Sequence, residues 1–165
     1  MSNERTKVGK IRVAIAGVGN CASAFVQGVE YYRRRLAWEP DILPGLMHPD
    51  IGGYGPGDLE VVAAFDIDAR KVGRPVPEAI FASPNCCYRL VEKLPQSRVK
   101  VQMAPVLDGF SAHMAAYPPE RTFVVAQARP ARVAQVLKDT GAEVLLNYVP
   151  VGSEAAARDY AGCCL

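Results

Sequence analysis

Ile11–Val26, IRVAIAGVGNCASAFV, is the stretch whose reading decides the fold. Apolar, β-favouring residues run from Ile11 to Ala16, meet Gly17-Val18-Gly19, and give way at Asn20-Cys21-Ala22 to a helical pattern. This is the strand–glycine turn–helix order of a dinucleotide site, with Ala22 where a third glycine often stands. Gly17 permits a turn that a Cβ obstructs, and Gly19 lets backbone come close to a pyrophosphate. Ala22 is small enough for the helix to pack against the strand. The unsatisfied N–H groups at the helix start then face the phosphates. A plain strand–helix turn is the alternative. The apolar strand before the glycines and the helix after them favour the nucleotide.

Around this stretch, the chain of 165 residues suits a single domain spanning 1–165. Charged residues make up 22% and hydrophobic ones 50%, which excludes a disordered chain. A net charge of +2 gives no footprint for nucleic acid or an anionic membrane surface. The opening MSNERTKVGK lacks an apolar core segment, so a secretory leader is not expected, and no apolar run reaches the roughly 18 residues of a membrane span. Cys21, Cys86, Cys87, Cys163 and Cys164 are odd in number and include two adjacent pairs, which predicts reduced thiols in the cytoplasm. Without a two-residue gap in either pair, and with His48 and His113 isolated, no metal site is expected. The cysteines read as small buried hydrophobes.

From Asn20 to about Arg35 the pattern predicts a helix, with Ala24, Phe25, Gly28, Val29 and Tyr32 facing the sheet and Asn20 as N-cap. Arg33-Arg34-Arg35 suits the helix C-terminus, or alternatively clamps a phosphate. Prolines and glycines between Leu36 and Asp58 predict a long irregular connection. Leu59–Asp66, LEVVAAFD, is then a strand ending in an acid placed to accept hydrogen bonds from ribose hydroxyls. Asp66 comes later than the usual interval of about 20 residues, and Asp68 is a second candidate. An acid here favours NAD over NADP, whose 2′-phosphate it repels.

Further on, Val76–Ser83 and Asn85–Lys93 read as two helical pieces divided by Pro84, and Val99–Met103 as a strand. Leu107-Asp108-Gly109 opens a turn before a helix carrying His113. Ala131–Asp139 reads as an amphipathic helix closed by Gly141, and Glu143–Tyr148 as a buried strand. A last helix starts at Glu154, capped by Ser153. Alternating strands and helices predict an α/β fold: a Rossmann-like, doubly wound parallel sheet of four strands, incomplete, with Val144–Leu146 lacking an outer neighbour.

At this point the residues resemble a family. GVGNCAS at Gly17–Ser23 and VQGVEYY at Val26–Tyr32 are similar to the start of myo-inositol-1-phosphate synthase (inositol-3-phosphate synthase) in its bacterial and archaeal branch. So are PGLMH at Pro44–His48, AAFDID at Ala63–Asp68, KVG at Lys71–Gly73 and IFAS at Ile80–Ser83. LDG at Leu107–Gly109 and NYVPVGSE at Asn147–Glu154 follow in the family's order, so the resemblance covers nearly the whole chain as the family's N-terminal portion.

The resemblance implies NAD as cofactor and conversion of D-glucose 6-phosphate to 1L-myo-inositol 1-phosphate, in inositol and phospholipid biosynthesis. Hydride passes to NAD and later returns to the ring ketone, so the cofactor is regenerated. By motif, Gly17, Val18, Gly19, Asn20 and Cys21 cradle the pyrophosphate and Asp66 takes the ribose. Pro150, Val151, Gly152 and Ser153 lie beside the nicotinamide half, with Tyr160 a further candidate from the same region. The family's catalytic lysines belong to an inserted α+β domain further along its chain. Lys93, Lys100 and Lys138 match none of its motifs, so no catalytic residue is assigned here. The expectation is a nucleotide-binding part that needs that domain to act on glucose 6-phosphate, in a homo-oligomer (the family's tetramer). The alternatives are a stand-alone NAD-binding or regulatory module and an inactive truncated product.

Overall fold

The computed structural model of the protein describes residues 9–38 and 43–165. Most of the polar opening segment, and Pro40 in the irregular connection, lie outside the described residues. Four strands form one parallel sheet: β1 (Ile11–Ala16), β2 (Leu59–Asp66), β3 (Val101–Met103) and β4 (Val144–Asn147). Their spatial order is β3-β2-β1-β4. The helices are α1 (Asn20–Trp38), α2 (Val76–Ala79), α3 (Val133–Thr140) and α4 (Glu154–Cys163).

Strand periodicity puts alternate residues of β1 on opposite faces. Val13 and Ile15 pack with Ala22 of α1 on one side. Ala14 and Ala16 pack with Val133 and Leu137 of α3 and Tyr160 of α4 on the other. Both faces are therefore covered, and the central strands read as continuous apolar runs. Small residues dominate the centre, namely Ala14, Ala16, Ala63 and Ala64, all buried. Phe65 and Ile15 are the large exceptions, and the Phe65 ring meets that of Tyr160 with centroids 6.0 Å apart. The register of β1 on β2 shifts between Val13 and Ala14, a bulge that adds twist.

Several expectations need correction. Helix α1 runs to Trp38, so the irregular connection is shorter at its start, and it closes with a 3₁₀ turn at Pro56–Asp58. Of Val76–Ser83 only the first four residues are helical, and Asn85–Lys93 forms no helix. Gln27 explains the second of these. Its Nε2 donates to the Tyr88 carbonyl at 3.1 Å, and its Oε1 accepts the N–H groups of Leu90 (2.7 Å) and Val91 (3.2 Å). A buried side chain thus satisfies backbone groups that a helix would have paired internally. The face of α1 differs accordingly: Ala22, Ser23, Gln27 and Glu30 are buried, while Ala24 is exposed. His113 sits in a five-residue 3₁₀ turn, Ala112–Ala116.

Strand β4 is half-exposed rather than buried, with Val144 42% exposed, because among the described residues it is the outer strand and pairs on one side only. Gly141 closes α3 in the left-handed region at φ 59°, as its sequence position predicts. The cysteines are all free, and none is buried: Cys21, Cys86 and Cys164 are exposed, Cys87 and Cys163 half-buried. Among the described residues, no helix is long and apolar enough to cross a membrane.

Candidate functional site

Strand order reverses between β1 and β4, and the crevice at the carboxyl ends of such strands is where doubly wound sheets bind ligands. A cavity of about 580 Å³ occupies that place. Its floor is the glycine turn after β1, with Asp66 ending β2, Ala104 after β3 and Tyr148 after β4. Its walls come from Ser83–Cys86, from Pro105–Val106 and from Phe123. The size suits a ligand larger than a single metabolite ring.

The two glycines of the turn do different work. Gly17 has φ +88°, and a Cβ there would lie 2.7 Å from the Tyr148 carbonyl oxygen. Its N–H donates to the Phe65 carbonyl at 2.9 Å, and the Tyr148 N–H donates to the Ala16 carbonyl at 2.7 Å. Gly17 is thus required by the approach of β4 to β1. A Cβ on Gly19 would meet nothing within 4 Å. Gly19 lines the cavity, so that space is open to it. Its carbonyl accepts the Ser23 N–H at 2.9 Å, and the first N–H groups of α1 open on the same side. A bare backbone beside a helix N-terminus fits a diphosphate.

Asp66 uses its carboxylate largely on the protein. Oδ2 accepts the Val18 N–H at 2.7 Å, and Oδ1 accepts the N–H groups of Ile67 and Asp68 at 2.8 Å each. The first bond ties the glycine turn to the end of β2, which fixes the turn's shape. The ammonium of Lys71, itself 1% exposed, stands 3.8 Å from Oδ2. Asp68 is fully buried and does not line the cavity. Burial pushes its carboxyl up, but hydrogen bonds from the Arg70 guanidinium and from the N–H groups of Arg70 and Val124 outweigh that and hold it below its ordinary value. Arg70 also donates to the carbonyls of Pro119 (2.8 Å) and Thr122 (2.7 Å). The Asp68–Arg70 pair therefore pins the loop that brings Phe123 to the cavity.

Of the residues expected from sequence, Gly17, Gly19, Asn20, Cys21, Asp66, Pro150 and Tyr160 meet at the cavity. Val18 does not: its side chain is buried with Ala64 and Val76, and only its N–H serves the turn. Val151 and Gly152 are exposed and Ser153 is buried, all outside the cavity lining. Tyr160 is buried against Phe65, and burial pushes its hydroxyl well above the ordinary range. Arg33 and Arg34 do not reach the cavity. Both pair with the buried Glu30, whose carboxyl the Arg33 hydrogen bond lowers. Lys93, Lys100 and Lys138 lie outside it as well.

Sequence reasoning missed the roles of two residues, Lys71 and Asp108, and the bracing contacts of a third, Asn20, that it places at the pyrophosphate. Lys71 was seen only as part of KVG. Asp108 caps α4, accepting the N–H groups of Ala155 (2.7 Å) and Ala156 (2.9 Å), while Ser153 makes no side-chain cap bond. Asn20 is the first helical residue, and its amide braces the cavity wall, donating from Nδ2 to Cys86 Sγ at 3.1 Å and accepting the Cys86 N–H at 2.9 Å. Nothing in sequence spacing signals such long-range pairs.

The fold and cavity define a Rossmann-like α/β protein with a cavity at the switch point of its sheet. The chain is 48% identical over 157 residues to inositol-3-phosphate synthase of Mycolicibacterium smegmatis, covering 95% of this chain and 41% of that protein. It is 49% identical over 151 residues to the Corynebacterium glutamicum inositol-3-phosphate synthase, covering 92% and 39%. The crystal structure of Ari2 superposes with TM-score 0.74 at 37% identity, over 94% of this chain and 42% of that one. A myo-inositol-1-phosphate synthase-related protein from Thermotoga maritima shares the fold, with TM-score 0.56 at 19% identity over 85% and 34%. No family model matches the chain. The sequence thus falls within the inositol-3-phosphate synthase family as its N-terminal portion, and it spans about two fifths of the length of these curated relatives.

Proposed function

We propose that this chain binds NAD at the switch-point cavity, as the nucleotide-binding part of an inositol-3-phosphate synthase. The observation that carries the reading is the open space facing Gly19 beside the start of α1, inside a cavity closed by Asp66 and Tyr148. Gly17, Gly19, Asn20 and Cys21 line the diphosphate end, with Val18 holding the turn through its N–H. Asp66 marks the ribose end, where its charge disfavours a 2′-phosphate. Pro150 lines the part assigned to the nicotinamide, and Tyr160 is a further residue of the cavity wall. When bound, NAD supplies a hydride acceptor that returns the hydride later. The protein's contribution is a fixed backbone cradle that orients it.

The reaction of the whole synthase, isomerisation of D-glucose 6-phosphate to 1L-myo-inositol 1-phosphate, is proposed for this family portion joined to a catalytic domain in a cytoplasmic homo-oligomer. The 165 residues by themselves turn over no sugar phosphate in this reading: Lys93, Lys100 and Lys138 lie away from the cavity, and Lys71, the lysine in its wall, is buried beside Asp66. Isothermal titration with NAD, combined with a colorimetric assay for inositol phosphate, tests both statements. Absence of NAD binding refutes the first, and turnover by the isolated chain refutes the second.

The open outer edge of β4 favours one other reading, a nucleotide-binding module that pairs with another subunit through that edge. Size-exclusion chromatography with and without a full-length synthase separates it from the first. An inactive product without a stable fold predicts non-cooperative melting.

A further inference from the structure

Lys71 is buried to 1% exposure yet belongs to the wall of the cavity. Its backbone is fixed by a tight turn, in which the N–H groups of Lys71 and Val72 both donate to the Asp68 carbonyl at 3.0 Å and Arg74 N–H donates to the Lys71 carbonyl at 3.0 Å. With the backbone so fixed and the side chain buried, the packing around the stem limits how far the ammonium can swing. An ammonium carries three donors, and burial without acceptors is costly. Its ion-pair partner is Asp66 Oδ2 at 3.8 Å, which is beyond hydrogen-bond range. That oxygen already accepts the Val18 N–H at 2.7 Å, and the other carboxylate oxygen accepts two more N–H groups. The acid is nearly saturated by the protein, whereas the lysine beside it is not.

We propose that Lys71, rather than Asp66 alone, is the ligand-contacting member of this pair, donating from Nζ to a ribose hydroxyl oxygen of the bound nucleotide. The proposal rests on the nucleotide reading above and extends it to specificity. With Lys71 present, the charge of Asp66 is offset, so the site rejects a 2′-phosphate less strongly than an acid by itself does.

Titration of the 165-residue chain with NAD and with NADP, wild type against Lys71→Met, tests this. Methionine keeps the length and apolar stem of lysine and removes the ammonium. The variant is expected to bind NAD about tenfold more weakly, the usual effect of losing one charged hydrogen bond. NADP is expected to weaken by more than NAD, so the ratio of the two dissociation constants rises. A purely structural role moves both constants together and leaves the ratio unchanged, and that result overturns the proposal. Unchanged affinity for both nucleotides overturns it too. Wild-type chain that binds neither nucleotide overturns the underlying nucleotide reading and this proposal with it. Where Lys71→Met fails to melt cooperatively, Lys71→Gln carries the same ratio test, and Lys71→Arg, which retains the charge, is expected to keep the wild-type ratio.

Discussion

Gly17→Ala is the perturbation that best separates the two glycines of the turn. The backbone at Gly17 has φ +88°, a region that costs an L-residue about 1–2 kcal/mol. The added Cβ also lies 2.7 Å from the Tyr148 carbonyl oxygen and 2.8 Å from its carbon, atoms that belong to backbone and cannot rotate aside. Relief requires β4 to move from β1, which strains the Tyr148 N–H to Ala16 carbonyl bond of 2.7 Å. Overpacking of this kind adds about 1–3 kcal/mol. The total of about 3 kcal/mol is a large share of a domain's stability and lowers the melting temperature by roughly 10 °C. Circular dichroism melts of the isolated chain measure it. Gly19→Val serves as the counterpart, because its side chain enters open space. That variant is expected to melt within a few degrees of wild type and to lose NAD binding. A Gly17→Ala protein as stable as wild type refutes the steric argument, and a Gly19→Val protein with unchanged NAD affinity refutes the diphosphate assignment.

Gln27→Leu removes the partner of the Tyr88, Leu90 and Val91 backbone groups and is expected to cost about 2–4 kcal/mol, with faster amide exchange confined at first to 88–91. Unchanged exchange there would show that the segment is held by other contacts. Asp68→Asn leaves Arg70 without its buried counter-charge and is expected to destabilise by about 3 kcal/mol in urea unfolding, loosening the Pro119–Val124 loop and weakening nucleotide binding. Asp108→Ala uncaps α4. The N–H groups of Ala155 and Ala156 hold the Asp108 carboxyl below its ordinary value of 3.8, so its contribution is present above that pH and is lost as pH falls further. Wild type and variant should therefore differ in melting temperature at pH 7, and the difference should shrink only as pH falls below 3.8 and through the lowered native value. A constant difference across that range would assign the effect to packing.

How much of this was legible beforehand can be seen element by element. The bounds of β2, Leu59–Asp66, match the apolar run that ends in an acid, and Gly141 closes α3 where a glycine after a periodic segment says it should. The order of the four strands followed too, as did the helices at Asn20, Ala131–Asp139 and Glu154, because strand and helix periods are written in adjacent residues. Asn85–Lys93 reads as helical in sequence but is not, because its backbone partner is Gln27, some 60 residues earlier in the chain. Ser153 does hold the N-cap position of α4, but the capping bonds come from Asp108, 47 residues before Ala155.

By itself, then, the sequence determined the parallel α/β layout, the strand–glycine–helix unit at Ile11–Val26 and the family portion the chain represents. These depend on local periodicity and on residues close together in the chain. The tertiary structure decided which glycine bears the crowding and which leaves open space, a distinction set by where β4 lies against β1. It also decided that Asp66 spends its charge on the glycine turn and stands beside a buried Lys71. Such pairings are long-range contacts, formed only when the strand ends converge, and no spacing along the chain encodes them.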